Sequence, residues 1–262
     1  MLSINTLKNK CFFLLLSSLT LLVGCNNDKS LNFDPQFNGV SVACKQPLHQ
    51  QPSWTLEQFW FYVSDIQVKS GGKWQSLSMV NTPWQQSNVA LIGMHCNESN
   101  DNNWTISSEH SKLLSSATTL KFKIAVPFVK NHQNPLKAQG IYDNANMFWT
   151  WQQGYKSLRF DLSSSEGESW AFHVGAIGCQ SPSVLRAPKN QCRQPNVIDI
   201  TVTDFDVNIP LTIELAHILT GIEPSLENRC LSMPTQTICQ SLITNMNNSK
   251  RPVFVQLGLI NE

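Results

Sequence analysis

The chain has 262 residues and carries 19 Lys and Arg side chains against 18 Asp and Glu, with only 14% charged residues in all. A nearly neutral and sparsely charged chain lacks the basic surface of a nucleic-acid-binding protein, and it lacks the charge for electrostatic attachment to membranes. We therefore exclude nucleic acid as a partner.

The N-terminus has the features of a bacterial lipoprotein signal peptide. Lys8 and Lys10 precede an apolar run over 12–23 that is too short for an ordinary membrane span. The run closes with Leu22-Val23-Gly24-Cys25, a small residue followed by the cysteine that lipoprotein processing reads. An uncleaved anchor, or a plain secretory signal with Cys25 there by chance, are alternatives that also place the domain outside the cytoplasm.

These features predict three parts of the chain. Residues 1–24 are the signal peptide, 25–38 a lipidated flexible tether that begins at Cys25, and 39–262 a single domain. Asn26 does not supply an Asp-type signal for retention in the inner membrane. The predicted location is therefore the cell envelope, with the lipid in the outer membrane.

Strand patterns dominate the domain. Aromatic and β-branched residues, or strict alternation of apolar and polar residues, predict strands at Gln58–Lys69, Lys121–Val126, Ser157–Leu162, Trp170–Ala176, Val197–Val202 and Val253–Ile260. Gly71-Gly72 predicts a tight turn into Lys73-Trp74-Gln75. The spacing of Leu211, Leu215, Ile218 and Leu219 predicts one helix over Pro210–Thr220.

Short strands without a βαβ rhythm favour an all-β fold, an antiparallel β-sandwich with one or two short helices. Three stretches, 79–118, 127–156 and 177–196, are expected to be long loops, where functional sites tend to lie.

Six cysteines remain after Cys11 in the signal and Cys25 at its end: Cys44, Cys96, Cys179, Cys192, Cys230 and Cys239. An even number in an oxidising compartment indicates three disulfides, although six thiols permit 15 pairings. Short loops favour Cys179 with Cys192 and Cys230 with Cys239, which leaves Cys44 for Cys96. A thiolate metal site is the alternative, but the sequence has no C-x-x-C.

No familiar enzyme signature occurs, so the candidates are isolated histidines and tryptophans. His173 is expected on the face opposite Trp170, Phe172 and Val174, between the small residues Ala171 and Gly175. Trp149 and Trp151 share a face of extended backbone. On pattern alone, the ordinary interpretation of His173 is a hydrogen-bonded surface histidine. The ordinary interpretation of the two tryptophans is a core pair or a surface that stacks on carbohydrate.

The ordered motifs resemble the MbnP-like family, the metallo-mystery-pair proteins with a four-cysteine motif, over most of the chain after Cys25. The matching stretches include Phe61 to Ile66, Trp84-Gln85, Val126-Pro127-Phe128 with Asn131-His132, Met147 through Lys156 with Arg159 and Asp161, Phe172 to Gly175, Gly178-Cys179, Cys192, and Cys230 with Cys239. The sequence departs from the pattern at Ala125, Ser157 and Ala176-Ile177.

The resemblance implies an exported β-sandwich that binds copper and is not an enzyme. It implies His132 and His173 as metal ligands, and Trp149 or Trp151 as a residue oxidised to kynurenine by a di-haem partner similar to cytochrome c peroxidases (MbnH-like). Imidazole is a suitable ligand for copper in either oxidation state.

Two other functions compete with copper storage or handling. One is a binding module whose tryptophans stack on glycan or peptidoglycan, with the histidines incidental. The other is a redox enzyme that uses copper directly, which the lack of a third strong protein ligand disfavours.

Overall fold

The computed structural model describes residues 29–97, 101–232 and 236–256. The predicted signal peptide and Cys25 lie outside these residues. The strands, in chain order, are β1 Ser30–Phe37, β2 Val40–Ser41, β3 Pro47–Leu48, β4 Gln51–Ser70, β5 Lys73–Ser76, β6 Gln85–Gln86, β7 Val89–His95, β8 Asn102–Asn103, β9 Thr105–Ser107, β10 Thr119–Ile124, β11 Phe148–Thr150, β12 Gly154–Ser164, β13 Ser169–Gly175, β14 Ile198–Thr203, β15 Leu211–Glu214, β16 Cys230–Leu231 and β17 Phe254–Val255. The helices are α1 Ser111–Ser115, α2 Phe128–Asn131, α3 Leu215–Ile218 and α4 Thr237–Met246, with 3-10 turns at Pro135–Lys137 and Gly140–Tyr142.

The strands form a large and a small sheet. The large sheet has the order β14-β10-β4-β12-β13-β16, with β3, β5 and β7 also paired to β4, and the small sheet has the order β17-β15-β1-β2. Most pairs are antiparallel, as predicted, but β1 with β15 and β13 with β16 are parallel. The all-β class with few helices is confirmed.

The main core lies between the two sheets. Phe33 of β1 meets Phe61 of β4 and Phe122 of β10 edge-to-face, with ring centroids 5.9 and 6.4 Å apart. Phe160 and Phe172 are fully buried in the same cluster. Burial of these rings supplies the largest favourable term in the stability of the sandwich.

A second apolar cluster covers the outer face of the large sheet. Alternate residues of β4, Trp60 and Tyr62, pack there with Tyr142, Met147 and Tyr155. Since successive side chains of a strand point to opposite faces, β4 is buried on both sides. The stretch between β10 and β12 is therefore folded onto the sheet, which holds the candidate site residues in place.

Three predictions about the chain are corrected. The tether over 25–38 is wrong from Ser30 onward, because β1 pairs with β15 and buries Leu31, Phe33 and Phe37. The helix over Pro210–Thr220 is wrong in its first half, which forms β15, and only Leu215–Ile218 is helical. The long loop over 79–118 contains β7, which pairs with β4 along its whole length.

The predicted turn at Gly71-Gly72 is present, because β4 and β5 pair across it from Ser70 and Lys73. The last predicted strand, Val253–Ile260, is present at Phe254–Val255, and its residues from 257 onward lie outside the described residues. No described helix has both the length and the apolar character needed to span a membrane.

Candidate metal centre

The hairpin of β11 and β12 carries both predicted tryptophans. Gly154 begins β12 with a φ of +79°, and a side chain there would collide with the amide of Asn131. Glycine is the residue that adopts this backbone conformation without strain. The amide oxygen of Asn131 accepts from the Tyr155 backbone N–H at 2.8 Å, so the hairpin is fixed against the residue next to His132.

His132 follows α2 and lies against Trp151. The indole Nε1 of Trp151 donates to the His132 carbonyl at 2.9 Å, and His132 Nδ1 lies 3.3 Å from the Trp151 carbonyl. Nδ1 must carry the hydrogen in that contact, because a carbonyl only accepts. Nε2 therefore has the lone pair, and the Asn131 amide nitrogen is 3.2 Å from it.

The His132 ring is neutral at pH 7. Burial lowers its pKa below the ordinary value, and the hydrogen bond to the Trp151 carbonyl offsets this only in part. A neutral imidazole is the form that binds metals, and an ion at Nε2 would replace the hydrogen bond from the Asn131 amide.

His173 lies in β13 on the face predicted for it, opposite the core residues Phe172 and Val174. Its Nε2 lies 2.6 Å from an Asp161 carboxylate oxygen, and the side chain is 11% exposed. Burial lowers the pKa of His173, and Asp161 offsets this in part. The neutral ring thus donates Nε2–H to Asp161 and keeps its lone pair on Nδ1.

Asp161 is the centre of a buried polar cluster. Its second carboxylate oxygen accepts from Arg159 Nε at 2.7 Å and from Gln58 Nε2 at 3.0 Å. Burial would raise the pKa of Asp161, but the hydrogen bonds from His173 and Arg159 and the charge of Arg159 outweigh it and leave the pKa below its ordinary value. The carboxylate is therefore ionised and fixes the orientation of the His173 ring.

Trp149 lies on the His173 side of the hairpin. A Cβ on Gly175 would come within 2.5 Å of the Trp149 ring, so the indole lies directly over this glycine. Lys156 Nζ is 5.5 Å from the centre of the same ring, and burial lowers the pKa of Lys156 to about 8. His173, Trp149, Lys156 and Arg159 line one cavity of about 340 Å³, the Trp149 cavity.

His132 lines a different cavity of about 460 Å³, the His132 cavity, together with Tyr155, Ser157, Ala176 and Cys192. The structure thus brings His132 together with Trp151, and His173 together with Trp149. It does not bring the four predicted residues into one cavity. Two neighbouring residues of β12 line different cavities: Ser157 lines the His132 cavity and Lys156 lines the Trp149 cavity.

All six domain cysteines are in the predicted pairs: Cys44–Cys96, Cys179–Cys192 and Cys230–Cys239. His132, Cys179 and Cys192 place one potential ligand atom each within 4.8 Å of the others. The two sulfurs are bonded to each other, however, and the thiolate is the form of cysteine that binds metals. In this oxidised state only the imidazole of the group is a ligand.

Sequence reasoning missed the polar cluster of Asp161, Arg159 and Gln58. The signal was present in the alternation of Ser157–Leu162, which places Arg159 and Asp161 on the face opposite Leu158, Phe160 and Leu162. In the antiparallel pairing of β12 with β13, Arg159 lies directly opposite His173. The sequence alone does not give this register.

The fold and these residues define a disulfide-bridged β-sandwich with two buried, neutral histidines, each beside a tryptophan of one hairpin. The chain belongs to the MbnP family, whose sequence profile matches residues 26–236. The fold is similar to that of MbnP from Methylosinus trichosporium, with a TM-score of 0.67 and 19% identity over 82% of this chain and 86% of that one. No curated protein matches the chain.

Proposed function

We propose that the protein binds copper in the bacterial cell envelope through His132 and His173, for storage or handling rather than catalysis. The observation that carries the proposal is the placement of the two rings: both are buried, and one nitrogen of each lies within hydrogen-bond distance of an oxygen, the Trp151 carbonyl for His132 and Asp161 for His173. Burial also lowers the pKa of both rings, which favours the neutral form. Such imidazoles bind copper without first losing a proton. Family membership supports the same role.

We further propose that Trp149 or Trp151 is oxidised to kynurenine by a di-haem partner similar to cytochrome c peroxidases. Opening the indole supplies a carbonyl and an aryl amine, two polar groups that tryptophan lacks. Trp149 would present them beside His173, and Trp151 beside His132. Both indoles are half-buried.

Copper titration of the purified protein tests the histidines. We expect His132→Ala and His173→Ala to weaken copper binding, with His49→Ala as the matched control because His49 is exposed. If the two rings share one ion, wild type binds one equivalent and either variant loses it. If each cavity holds its own ion, wild type binds two equivalents and each variant loses one. Unchanged affinity in both variants would exclude the proposed ligands.

Peptide mass mapping tests the modification. Conversion of tryptophan to kynurenine exchanges one carbon for one oxygen overall, so the peptide that contains Trp149 and Trp151 gains mass after co-expression with the di-haem partner. Trp149→Phe and Trp151→Phe variants identify the modified position. An unaltered peptide mass after co-expression would remove the kynurenine from the proposal.

Attachment to the outer membrane through Cys25 is the remaining part of the proposal, and the sequence pattern supports it. Metabolic labelling with a fatty acid, compared between wild type and Cys25→Ser, is the direct test. We expect label only in wild type, and membrane fractions should lose the variant.

A second function, glycan binding, is favoured by a tryptophan outside the predicted pair. The half-buried Trp84 lines a cavity of about 540 Å³ with Asp101, Asp143 and Asn144, and its ring stacks on the buried Trp60 with ring centroids 5.4 Å apart. Aromatic faces flanked by polar groups suit sugar rings. Quenching of tryptophan fluorescence by peptidoglycan fragments, abolished in Trp84→Ala, would support this function over copper binding.

A further inference from the structure

The Cys179–Cys192 disulfide differs from the other two in where it lies. Cys230 and Cys239 belong to the main core, and Cys96 packs against it. Cys179 and Cys192 instead form a small separate cluster with Ala176, beside Phe128. The loop that they close, 180–191, is exposed at most of its positions. Opening this bridge therefore leaves the main core intact.

The bridge is also next to a ring nitrogen of His132. Cys192 Sγ lies 3.5 Å from His132 Nε2, the nitrogen that has the lone pair. With Cys179 Sγ, the three atoms lie within 4.8 Å of one another. Cys192 lines the His132 cavity, so an incoming thiol or ion has a route to the bridge.

We propose that reduction of Cys179–Cys192 creates a site for a soft monovalent ion, Cu(I), held by His132 Nε2 and the two cysteine thiolates. The reductant is an external dithiol. One of its thiolates attacks the bridge to form a mixed disulfide, and its second thiol then releases the protein as a dithiol. The external dithiol loses two electrons and becomes a disulfide.

Ion binding displaces the two thiol protons from Cys179 and Cys192. Two thiolates and an imidazole favour Cu(I), because thiolate is a soft ligand. Structural zinc takes four protein ligands, one more than this group supplies. The site shares His132 with the copper site of the proposed function, but it forms only in the reduced protein and does not use His173.

The test uses the disulfide-bonded protein and limiting dithiothreitol without oxygen, followed by alkylation and peptide mapping. We expect Cys179 and Cys192 to be alkylated before Cys230 and Cys239 of the main core. Earlier alkylation of Cys230 and Cys239 would overturn the proposal.

After removal of the dithiothreitol, Ag(I) replaces Cu(I) as a probe that does not change oxidation state. Reduced wild type should bind one equivalent at least about tenfold more tightly than the oxidised protein, since even the outer partners of metal ligands are worth 10- to 100-fold in affinity. Cys179→Ser with Cys192→Ser, and separately His132→Ala, should remove this gain. Equal affinity of oxidised and reduced wild type, or tighter binding of Zn²⁺ than of Ag(I), would overturn the proposal.

His173→Ala separates the two proposals. It should keep the reduction-dependent gain in Ag(I) affinity while weakening copper binding by the oxidised protein. Failure of the copper titration with oxidised protein would count against the proposed function alone. Loss of the Ag(I) gain in His173→Ala would count against the reduced site.

Discussion

The substitution Asp161→Asn tests whether the buried polar cluster both stabilises the sheet and orients His173. The carboxylate accepts from His173 on one oxygen, and from Arg159 and Gln58 on the other. An amide of the same shape has one oxygen, so its NH2 group must face one of these donor sets. We expect a loss of about 3 kcal/mol in the free energy of unfolding, since breaking a buried charged pair leaves an uncompensated partner.

The same change should weaken copper binding. If the amide NH2 faces His173, the ring accepts on Nε2 and carries its hydrogen on Nδ1, which removes the lone pair proposed for the metal. We expect copper affinity to fall by roughly 10- to 100-fold, the range for residues that orient metal ligands. Urea denaturation and competitive copper titration at pH 7 measure the two effects.

Asp65→Asn is the matched control. Asp65 pairs with Lys123 at 2.7 Å, but both side chains are more than 40% exposed. An exposed pair contributes about 0–1 kcal/mol. Asp65 lines the His132 cavity, so this variant is a control for stability and not for copper affinity. If Asp161→Asn costs no more than Asp65→Asn and leaves copper affinity unchanged, the role assigned to the buried cluster is wrong.

Three other substitutions give distinct outcomes. Gly175→Ala forces the Trp149 ring to move, because the new Cβ would lie 2.5 Å from the ring. We expect a loss of about 1–3 kcal/mol in the free energy of unfolding and a shifted tryptophan emission spectrum. An unchanged spectrum would contradict the packing of Trp149 on Gly175. Lys156→Met removes an amine whose pKa is about 8 in the folded protein against an ordinary 10.5. Between these pH values the unfolded chain binds more protons than the folded one, so the stability of wild type should rise with pH by up to about 3 kcal/mol relative to the variant. Parallel plots of stability against pH for the two proteins, measured by urea denaturation, would refute this. Phe160→Ala should lower the free energy of unfolding by about 3–5 kcal/mol, because the fully buried ring packs edge-to-face against Trp170 with ring centroids 5.4 Å apart. A loss below 1 kcal/mol in thermal or urea unfolding would show that the core collapses around the gap.

The fold class was predictable because the alternation in the predicted strands is strong and local. The helix predicted over Pro210–Thr220 was wrong in its first half, because apolar residues that fit one face of a helix also suit a strand such as β15, which is buried along its length. The pairing with β1, 178 positions away, decided between the two. Such long-range pairing overrides local preference and leaves no mark in a single sequence.

The candidate site was predictable in its parts but not in its arrangement. Residue type and motif identified His132, His173 and the two tryptophans. Their division between two cavities depends on the turn at Gly154 and on the register of β12 with β13. Neither the sharp turn angle nor the register follows from spacing along the chain.

The twenty-residue strand β4 sets the order in which the protein can assemble. Its partners β7, β10 and β12 all follow it in the sequence, and Gln58 meets Asp161 at a separation of 103 residues. A chain that emerges N-terminus first thus exposes the rings of Phe59, Trp60 and Phe61 long before their cover is synthesised. Such non-local pairing makes folding slow and leaves an aggregation-prone edge, so the nascent protein should depend on chaperones until β12 is in place.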